Sequence, residues 1–242
     1  MIIADIHSHI LPGVDDGSSS LAQSLDMLEE AYNNGTRHMV ATPHFGGRSF
    51  AVNKDTVLEL TGELNEELAR RDINLTVYPG NEIRCTPDTL NSIKDNIVCS
   101  ANQNRYLLVE LPFDQPDCDI ESLVLNCAEM GHSLVLAHPE RYQYLMKDFK
   151  TLEKLLRRGV LLQCNADSIY GLAGRKVKHY AHKLMRKNMV SFVASDCHSV
   201  IQRGPQLSAA YNTIAKLYGS DTANTLLYDN PMRMIAGKKI TK

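Results

Sequence analysis

Ile2-Ile-Ala-Asp-Ile-His-Ser-His9 is the stretch whose reading decides the fold. Ile2–Ile6 is a short apolar run, and it ends in a His-x-His pair, His7 and His9. On a strand, residues two apart face the same side, so both imidazoles can reach one ion. An isolated His-x-His is weak evidence, but the arrangement recurs. The run Met39–Thr42 leads into Pro43-His44, and Leu75–Tyr78 leads through Pro-Gly-Asn to Glu82. Tyr106–Leu111 carries Glu110 inside an otherwise apolar strand, and Ser133–Ala137 ends at His138. Val160–Cys164 follows, and Val190–Ala194 leads to Ser195-Asp196-Cys-His198.

Between these runs lie segments of helical period. In Asp55–Arg71 the residues Val57, Leu60, Leu64 and Leu68 make one apolar stripe with charges opposite. Another helix is expected near Ser20, with Gln23 completing a capping box. Further helices are expected over Ile120–Met130, around Leu152–Arg158, and over Lys176–Lys187 and Gln206–Tyr218. Seven strand–helix repeats favour a parallel sheet with crossover helices, closed or nearly closed into an α/β barrel. No linker or low-complexity tract divides residues 1–242, so one domain is expected. Asp229-Asn-Pro231 reads as a turn, and the tail lysines Lys238, Lys239 and Lys242 as solvated.

Each candidate ligand lies at or near the C-terminal end of its strand, where barrel active sites are built. Glu110 and Asp196 are costly to bury without cations, and no lysine or arginine lies within the strand ends. Metal ions supply the compensation more simply. The other four histidines act as an internal control. His38 and His132 precede their strands, and His179 and His182 fall on a helix outside the barrel. The loop after the first strand adds Asp15 and Asp16, either an exposed Asp-Gly turn or the source of one more ligand.

Composition excludes other classes. The net charge is −2 without long runs of one sign, which gives no nucleic-acid footprint. Apolar stretches are too short to span a bilayer. The N-terminus carries Asp5 early and lacks a basic region, so it is not a signal peptide and a cytoplasmic location is expected. The six cysteines show no zinc-ribbon spacing and read as buried small residues, with disulfides not expected.

Taken together, these motifs resemble the PHP (polymerase and histidinol phosphatase) superfamily, and within it the bacterial tyrosine-protein phosphatases of the CpsB/CapC/YwqE type. The resemblance rests on Asp5-Ile-His-Ser-His-Ile10, Val14-Asp-Asp-Gly17, Ala41-Thr-Pro-His44 and Gly80-Asn-Glu-Ile-Arg84. It continues through Tyr106-Leu-Leu-Val-Glu110, Ala137-His-Pro-Glu-Arg141 and Ser195-Asp-Cys-His198. It implies a distorted (β/α)7 barrel of the PHP fold with a trinuclear metal centre. By that resemblance His7, His9, Glu82 and Asp196 hold the first metal, and Glu82 bridges to a second held with Glu110 and His138. Asp16, His44 and His198 hold the third, with Asp16 preferred to Asp15 only by its place in the motif. Arg141 and Arg203 match the family's phosphate-binding arginines.

Three divalent ions against four carboxylates leave a formal surplus of +2, which a phosphate monoester dianion neutralises. Mixed N/O donors without thiolate suit manganese, iron or zinc, and Mn²⁺ is expected. The implied reaction is in-line attack of a metal-activated hydroxide on phosphotyrosine. The implied substrate is the phosphorylated tail of a membrane-associated bacterial tyrosine kinase controlling capsule or exopolysaccharide synthesis. Two enzyme alternatives stand beside it. Cys197-His-Ser-Val-Ile-Gln-Arg203 satisfies the C-x5-R pattern of cysteine phosphatases, although Val200 and Ile201 suit a phosphate-wrapping loop poorly. Histidinol phosphate or another small monoester would use the same metals. Amidohydrolases also begin with His-x-His, but their strand-four lysine is replaced here by Glu110. The non-enzyme alternative is a regulatory module built on a dead barrel. The complete donor set speaks against it.

Overall fold

The computed structural model describes residues 1–46, 50–114 and 119–240. The seven runs become β1 (Ile3–Asp5), β2 (Thr36–Ala41), β5 (Thr76–Pro79), β7 (Tyr106–Glu110), β8 (Ser133–Ala137), β9 (Leu161–Asn165) and β10 (Phe192–Ala194). Short segments β3 (His44–Gly46), β4 (Phe50–Ala51) and β6 (Glu82–Arg84) join them. One sheet runs β1-β2-β5 and the other β10-β9-β8-β7-β6-β3-β4, all parallel except the β3–β4 pair.

The two sheets are one wall with a break in it. β3 and β6 prolong β2 and β5 beyond Pro43 and Gly80-Asn81, and their pairing sets His44 beside Glu82. Proline has no N–H to continue a ladder, so the wall kinks there. Asn81 bridges the kink, donating from Nδ2 to the Pro43 and Val52 carbonyls and accepting from the Cys99 N–H. At Gly80 a Cβ would lie 2.9 Å from Val40 Cγ1, so the approach of the two strands requires glycine.

The barrel closes through the ligand-bearing segments. Ser8 bridges Cys197 in parallel; the Asp196 N–H donates to the His7 carbonyl and the His9 N–H to the Cys197 carbonyl, both at 2.9 Å. Strand alternation then grades the interior from apolar to polar. Tyr106, Leu108 and Glu110 line the inside of β7, while Leu107 and Val109 pack outward on the helices. The same gradient runs Phe192–Ala194–Asp196 from β10 and Leu161–Gln163–Asn165 on β9. This architecture is the distorted (β/α)7 barrel of the PHP fold.

Several local expectations needed correction. The helix Leu21–Asn33 is capped by Ser20, but the Gln23 side chain accepts from the N–H and hydroxyl of Ser19, not from Ser20. β2 begins at Thr36, so His38 lies within the strand, hydrogen-bonded to Tyr78 rather than before it. Asp229-Asn-Pro231 is not a turn. Ser220–Asn224, a π-helical turn Thr225–Asp229 and Asn230–Ile235 follow one another, and Pro231 sits in the first turn of the last helix, where its missing N–H costs little. The tail lysines Lys238 and Lys239 are exposed, yet their main chain is docked: the Tyr106 hydroxyl donates to the Lys238 carbonyl and accepts from the Ile240 N–H. Lys242 lies outside the described residues. Cys99, Cys127, Cys164 and Cys197 are free and buried as expected, but Cys85 is disulfide-bonded. Spacing along a chain carries no information on which cysteines the fold brings within bonding reach. Cys118 lies outside the described residues.

Candidate metal centre

All nine expected ligands converge at the C-terminal mouth of the barrel, in four overlapping groups whose donor atoms lie within 4.8 Å of one another. These are His9, Asp16, His44 and His198; His7, His9 and Glu82; His7, His138 and Asp196; and His44, Glu82 and Glu110. The overlap is finer than the grouping taken from the resemblance. His9 also reaches the Asp16 group, and His44 stands between Asp16 and Glu82, at 3.3 and 3.1 Å. None of the four control histidines belongs to any group among the described residues.

The hydrogen bonds behind the histidines set their tautomers. Asp196 Oδ2 can only accept, so Asn165 Nδ2 donates to it at 2.7 Å. Asn165 Oδ1 therefore accepts from Gln163 Nε2 at 2.8 Å, which leaves Gln163 Oε1 to accept from His7 Nδ1 at 2.9 Å. The His9 Nδ1–H donates to Asp15 Oδ2 at 2.7 Å, and the His198 Nδ1–H to the Asp196 carbonyl at 2.9 Å. In all three rings Nδ1 is committed as a donor and Nε2 is the atom turned inward, the one a metal ion would take in place of a proton. The Nε2 atoms of His7 and His9 stand 3.3 Å apart, both facing Glu82 Oε2 and Asp196 Oδ1 at 3.3–3.5 Å. The donor set thus fits divalent cations.

The same chain of contacts separates Asp15 from Asp16. Asp15 is buried and fully used, accepting from His9, the Gly17 N–H and the His44 N–H. Asp16 is half exposed and turns Oδ1 toward His44 and His198. Asp15 orients a ligand; Asp16 is free to be one. At Gly17 a Cβ would lie 2.1 Å from the His9 carbonyl, so only glycine lets this loop fold over the histidine.

Electrostatics register an uncompensated site. Burial alone would raise the Glu82 carboxyl, yet His7, His138 and His44 hold it well below its ordinary range. Burial opposes charge on His9, but Asp15, Asp196 and Glu82 hold its pKa well above that of a free imidazole. Burial and the neighbouring Glu82 charge raise Glu110. His138, Asp196 and Arg203 all adopt positive φ (33°, 53° and 51°), a conformation costing on the order of 1 kcal/mol or more for each residue. The turns at which the strands deliver their ligands are strained ones.

Arg141 and Arg203 both donate from Nη1 to Asp196 Oδ2 at 3.1 Å and are each about one-third exposed at the mouth. A surface pairing of Arg141 with Glu140 does not occur, because Glu140 is buried and accepts from the Asn165 N–H. Arg84, at the end of β6, lies 3.7 Å from Glu110, so the strand ends are not free of cations. Gln163 and Asn165 were not among the expected site residues, although a polar pair inside the apolar β9 is the same signal that exposed Glu110.

The cysteine-phosphatase alternative is overturned. Cys197 is fully buried among Ile10, Leu11 and Ala41, and burial pushes its thiol up to about 12. A nucleophilic cysteine needs the opposite surroundings.

The barrel and its convergent imidazoles and carboxylates define a PHP-fold protein with a centre able to hold metal ions. Residues 3–236 match the family described as capsular polysaccharide synthesis, CpsB/CapC, and the chain belongs to that family. It is 34% identical over 217 residues to the tyrosine-protein phosphatase YwqE of Bacillus subtilis, covering 90% of this chain and 85% of that one. It is 30% identical over 236 residues to the tyrosine-protein phosphatase CpsB of Streptococcus agalactiae, covering 96% and 97%. A crystal structure from work on YwqE of B. subtilis and CpsB of Streptococcus pneumoniae, described as unique metal-dependent tyrosine phosphatases, matches with a TM-score of 0.94 at 32% identity, over 99% of this chain and 96% of that one. A histidinol phosphate phosphatase from Lactococcus lactis shares the fold at a TM-score of 0.57 and 14% identity, over 88% of this chain and 93% of that one.

Proposed function

We propose that the protein is a metal-dependent protein-tyrosine phosphatase, a phosphoric monoester hydrolase with three divalent ions, Mn²⁺ in the active form. The observation that carries this reading is the set of three histidines whose Nδ1 atoms are committed as donors, which leaves Nε2 as the atom turned toward the buried carboxylates. His7, His9, Glu82 and Asp196 would hold one ion, Glu82, Glu110 and His138 a second, and Asp16, His44 and His198 the third. When bound, the ions would supply Lewis acidity and an activated water at neutral pH.

The chain's own residues do the rest. Arg141, at the end of the 3-10 turn Pro139–Arg141, and Arg203, in the loop after β10, approach the mouth from two sides, and each keeps further N–H donors beyond the one given to Asp196. They are placed to take the non-bridging oxygens of a phosphate and hold them as charge develops. Phe113, partly exposed, stacks on His138 at 5.7 Å and lies 5.4 Å beneath the Arg141 guanidinium. It offers an apolar face to an aromatic leaving group. On the resemblance alone, the reading extends to a cytoplasmic enzyme acting on the phosphorylated tail of a membrane-associated bacterial tyrosine kinase.

The test is chelation of the purified protein followed by phosphate release from a phosphotyrosine peptide, with and without Mn²⁺, alongside Cys197→Ser and histidinol phosphate. Activity that returns only with metal and survives Cys197→Ser is expected. Activity on histidinol phosphate alone would move the protein to another substrate. Activity that ignores the chelator would sink the reading.

A further inference from the structure

The charge of this chain is not evenly distributed. Residues 147–187 carry eleven lysines and arginines against three acidic residues, a net of +8 in a chain of −2, which leaves −10 elsewhere. Two outer helices hold most of this charge, and they treat it differently. On the helix Phe149–Arg157 and just after it, Lys154 and Arg158 pair with Glu121 at 2.6 and 3.0 Å. On the helix Arg175–Arg186, no lysine or arginine has a carboxylate partner among the described residues. Like charges three and four residues apart on a helix repel, so this face destabilises the free protein.

These cations border a groove of about 570 Å³ between that helix and Ser208–Tyr218. Arg175, Lys178 and Arg186 line one wall with His179 and His182, while Leu217 and Tyr218 form the other. Among the described residues no acidic side chain lines it. Its groups are held in place: Lys178 Nζ donates to the Tyr170 carbonyl at 3.1 Å, and His182 accepts from the Tyr218 hydroxyl at 2.7 Å. A concave site with charge on one wall and exposed apolar surface on the other suits a side-chain-bearing segment better than a flat bilayer.

The groove is also tied to the mouth of the barrel. Asn165, bonded to Asp196, is followed directly by the helix Ala166–Tyr170, whose last carbonyl holds Lys178. Five helical residues span about 7.5 Å. An extended polypeptide covers about 3.3 Å per residue, so a segment bound at the mouth passes the length of that helix in roughly two to three residues and can meet the groove beyond them.

We propose that the groove bordered by Arg175, Lys178 and Arg186 docks an acidic stretch of the polypeptide whose phosphotyrosine enters the barrel, so that flanking carboxylates select the protein substrate. This rests on the phosphatase reading for the identity of the bound residue, but docking itself can be measured without catalysis. Compare the wild type with Arg175→Glu combined with Arg186→Glu, and with Arg71→Glu combined with Lys94→Glu. Both pairs are exposed and change net charge equally. The substrates are p-nitrophenyl phosphate and two phosphotyrosine peptides, one with Asp and Glu three to six positions from the phosphotyrosine and one with Asn and Gln there.

The groove variant should raise KM for the acidic peptide about tenfold, as expected for reversal of two exposed charges. It should leave kcat, the neutral peptide and p-nitrophenyl phosphate within twofold, and the control variant should match the wild type throughout. Equal KM values for the acidic peptide in wild type and groove variant would overturn the proposal. So would vesicles of phosphatidylglycerol binding the wild type but not the groove variant while peptide kinetics stay unchanged. If no substrate is turned over, the function reading fails separately. Fluorescence anisotropy with the unphosphorylated acidic peptide then decides: binding lost in the groove variant alone supports docking, and no binding to the wild type refutes it.

Discussion

Replacing Asp15 by asparagine changes one oxygen to an NH2 group, and the consequence can be worked through bond by bond. Asp15 accepts from three donors: the His9 Nδ1–H at 2.7 Å, the Gly17 N–H at 3.0 Å and the His44 N–H at 3.1 Å. Oδ2 serves His9 and His44, and Oδ1 serves Gly17. An asparagine has one oxygen, so one side must turn a donor onto a donor. If the NH2 group faces His9, Nδ1 must become the acceptor and the remaining proton is fixed on Nε2, so the atom facing Glu82 and Asp196 is no longer available to a metal ion. If it faces Gly17, a buried backbone N–H is left without an acceptor, at a cost of about 1–3 kcal/mol.

Loss of such an orienting partner weakens metal binding about 10- to 100-fold, or about 1.4–2.8 kcal/mol. With free metal at about 100 times the wild-type Kd, one site adds about 2.7 kcal/mol of stability, and a hundredfold weaker site adds only about 0.4. For a chain of this size the metal-induced rise in Tm should then shrink by about 5–9 °C. The assay is calorimetric unfolding of apo and Mn²⁺-loaded protein, with Kd from chelator competition. Comparing apo forms removes any direct effect on folding. Asp16→Asn serves as the contrast, since it should weaken one site and leave the His9 tautomer alone. Asp15→Asn binding metal as tightly as wild type would refute the account of the histidine tautomers.

Three further outcomes are expected. Gly17→Ala should cost about 1–3 kcal/mol in urea unfolding and weaken metal binding with it, because its Cβ would overlap the His9 main chain; a neutral substitution would mean the loop can move aside. Tyr106→Phe removes two hydrogen bonds to the C-terminal segment and should lower stability by about 1–3 kcal/mol, with metal affinity unchanged. His182 is held neutral by burial, so its folded pKa lies below the unfolded value and the unfolded chain binds its proton first. Stability should therefore fall as pH drops through about 6.5, and His182→Gln should flatten that slope; an unchanged slope would place the titration elsewhere.

How much of this was legible beforehand depends on which physical constraint each residue answers. The strands and eight of the nine donors could be read because burial of a carboxylate or a paired imidazole breaks an apolar pattern, and a break is visible in one dimension; Asp16 came only from its place in the motif. Glu110 between Val109 and Leu111 is the clearest instance. Gln163 breaks β9 in the same way and was open to the same inference. Asp15 was not. Its pattern, an acid before Asp-Gly, is what any surface turn presents, and only the contact with His9 distinguishes it from Asp16.

The kink into β3 and β6 was half visible in Pro43 and Gly80. That it carries His44 and Glu82 into register needs the sheet. The C-terminal helices were lost because Asn-Pro was weighed as a turn signal without the apolar face that Leu226, Leu227, Met234 and Ile235 present to the core. That face matters to the site as well. Met234, Ile235 and Ile240 join the apolar cluster of Tyr106, Leu108 and Phe192 that fills the lower barrel. With that apolar cluster beneath the ligands, cations and a phosphate can approach them only from the mouth, where Arg141 and Arg203 stand.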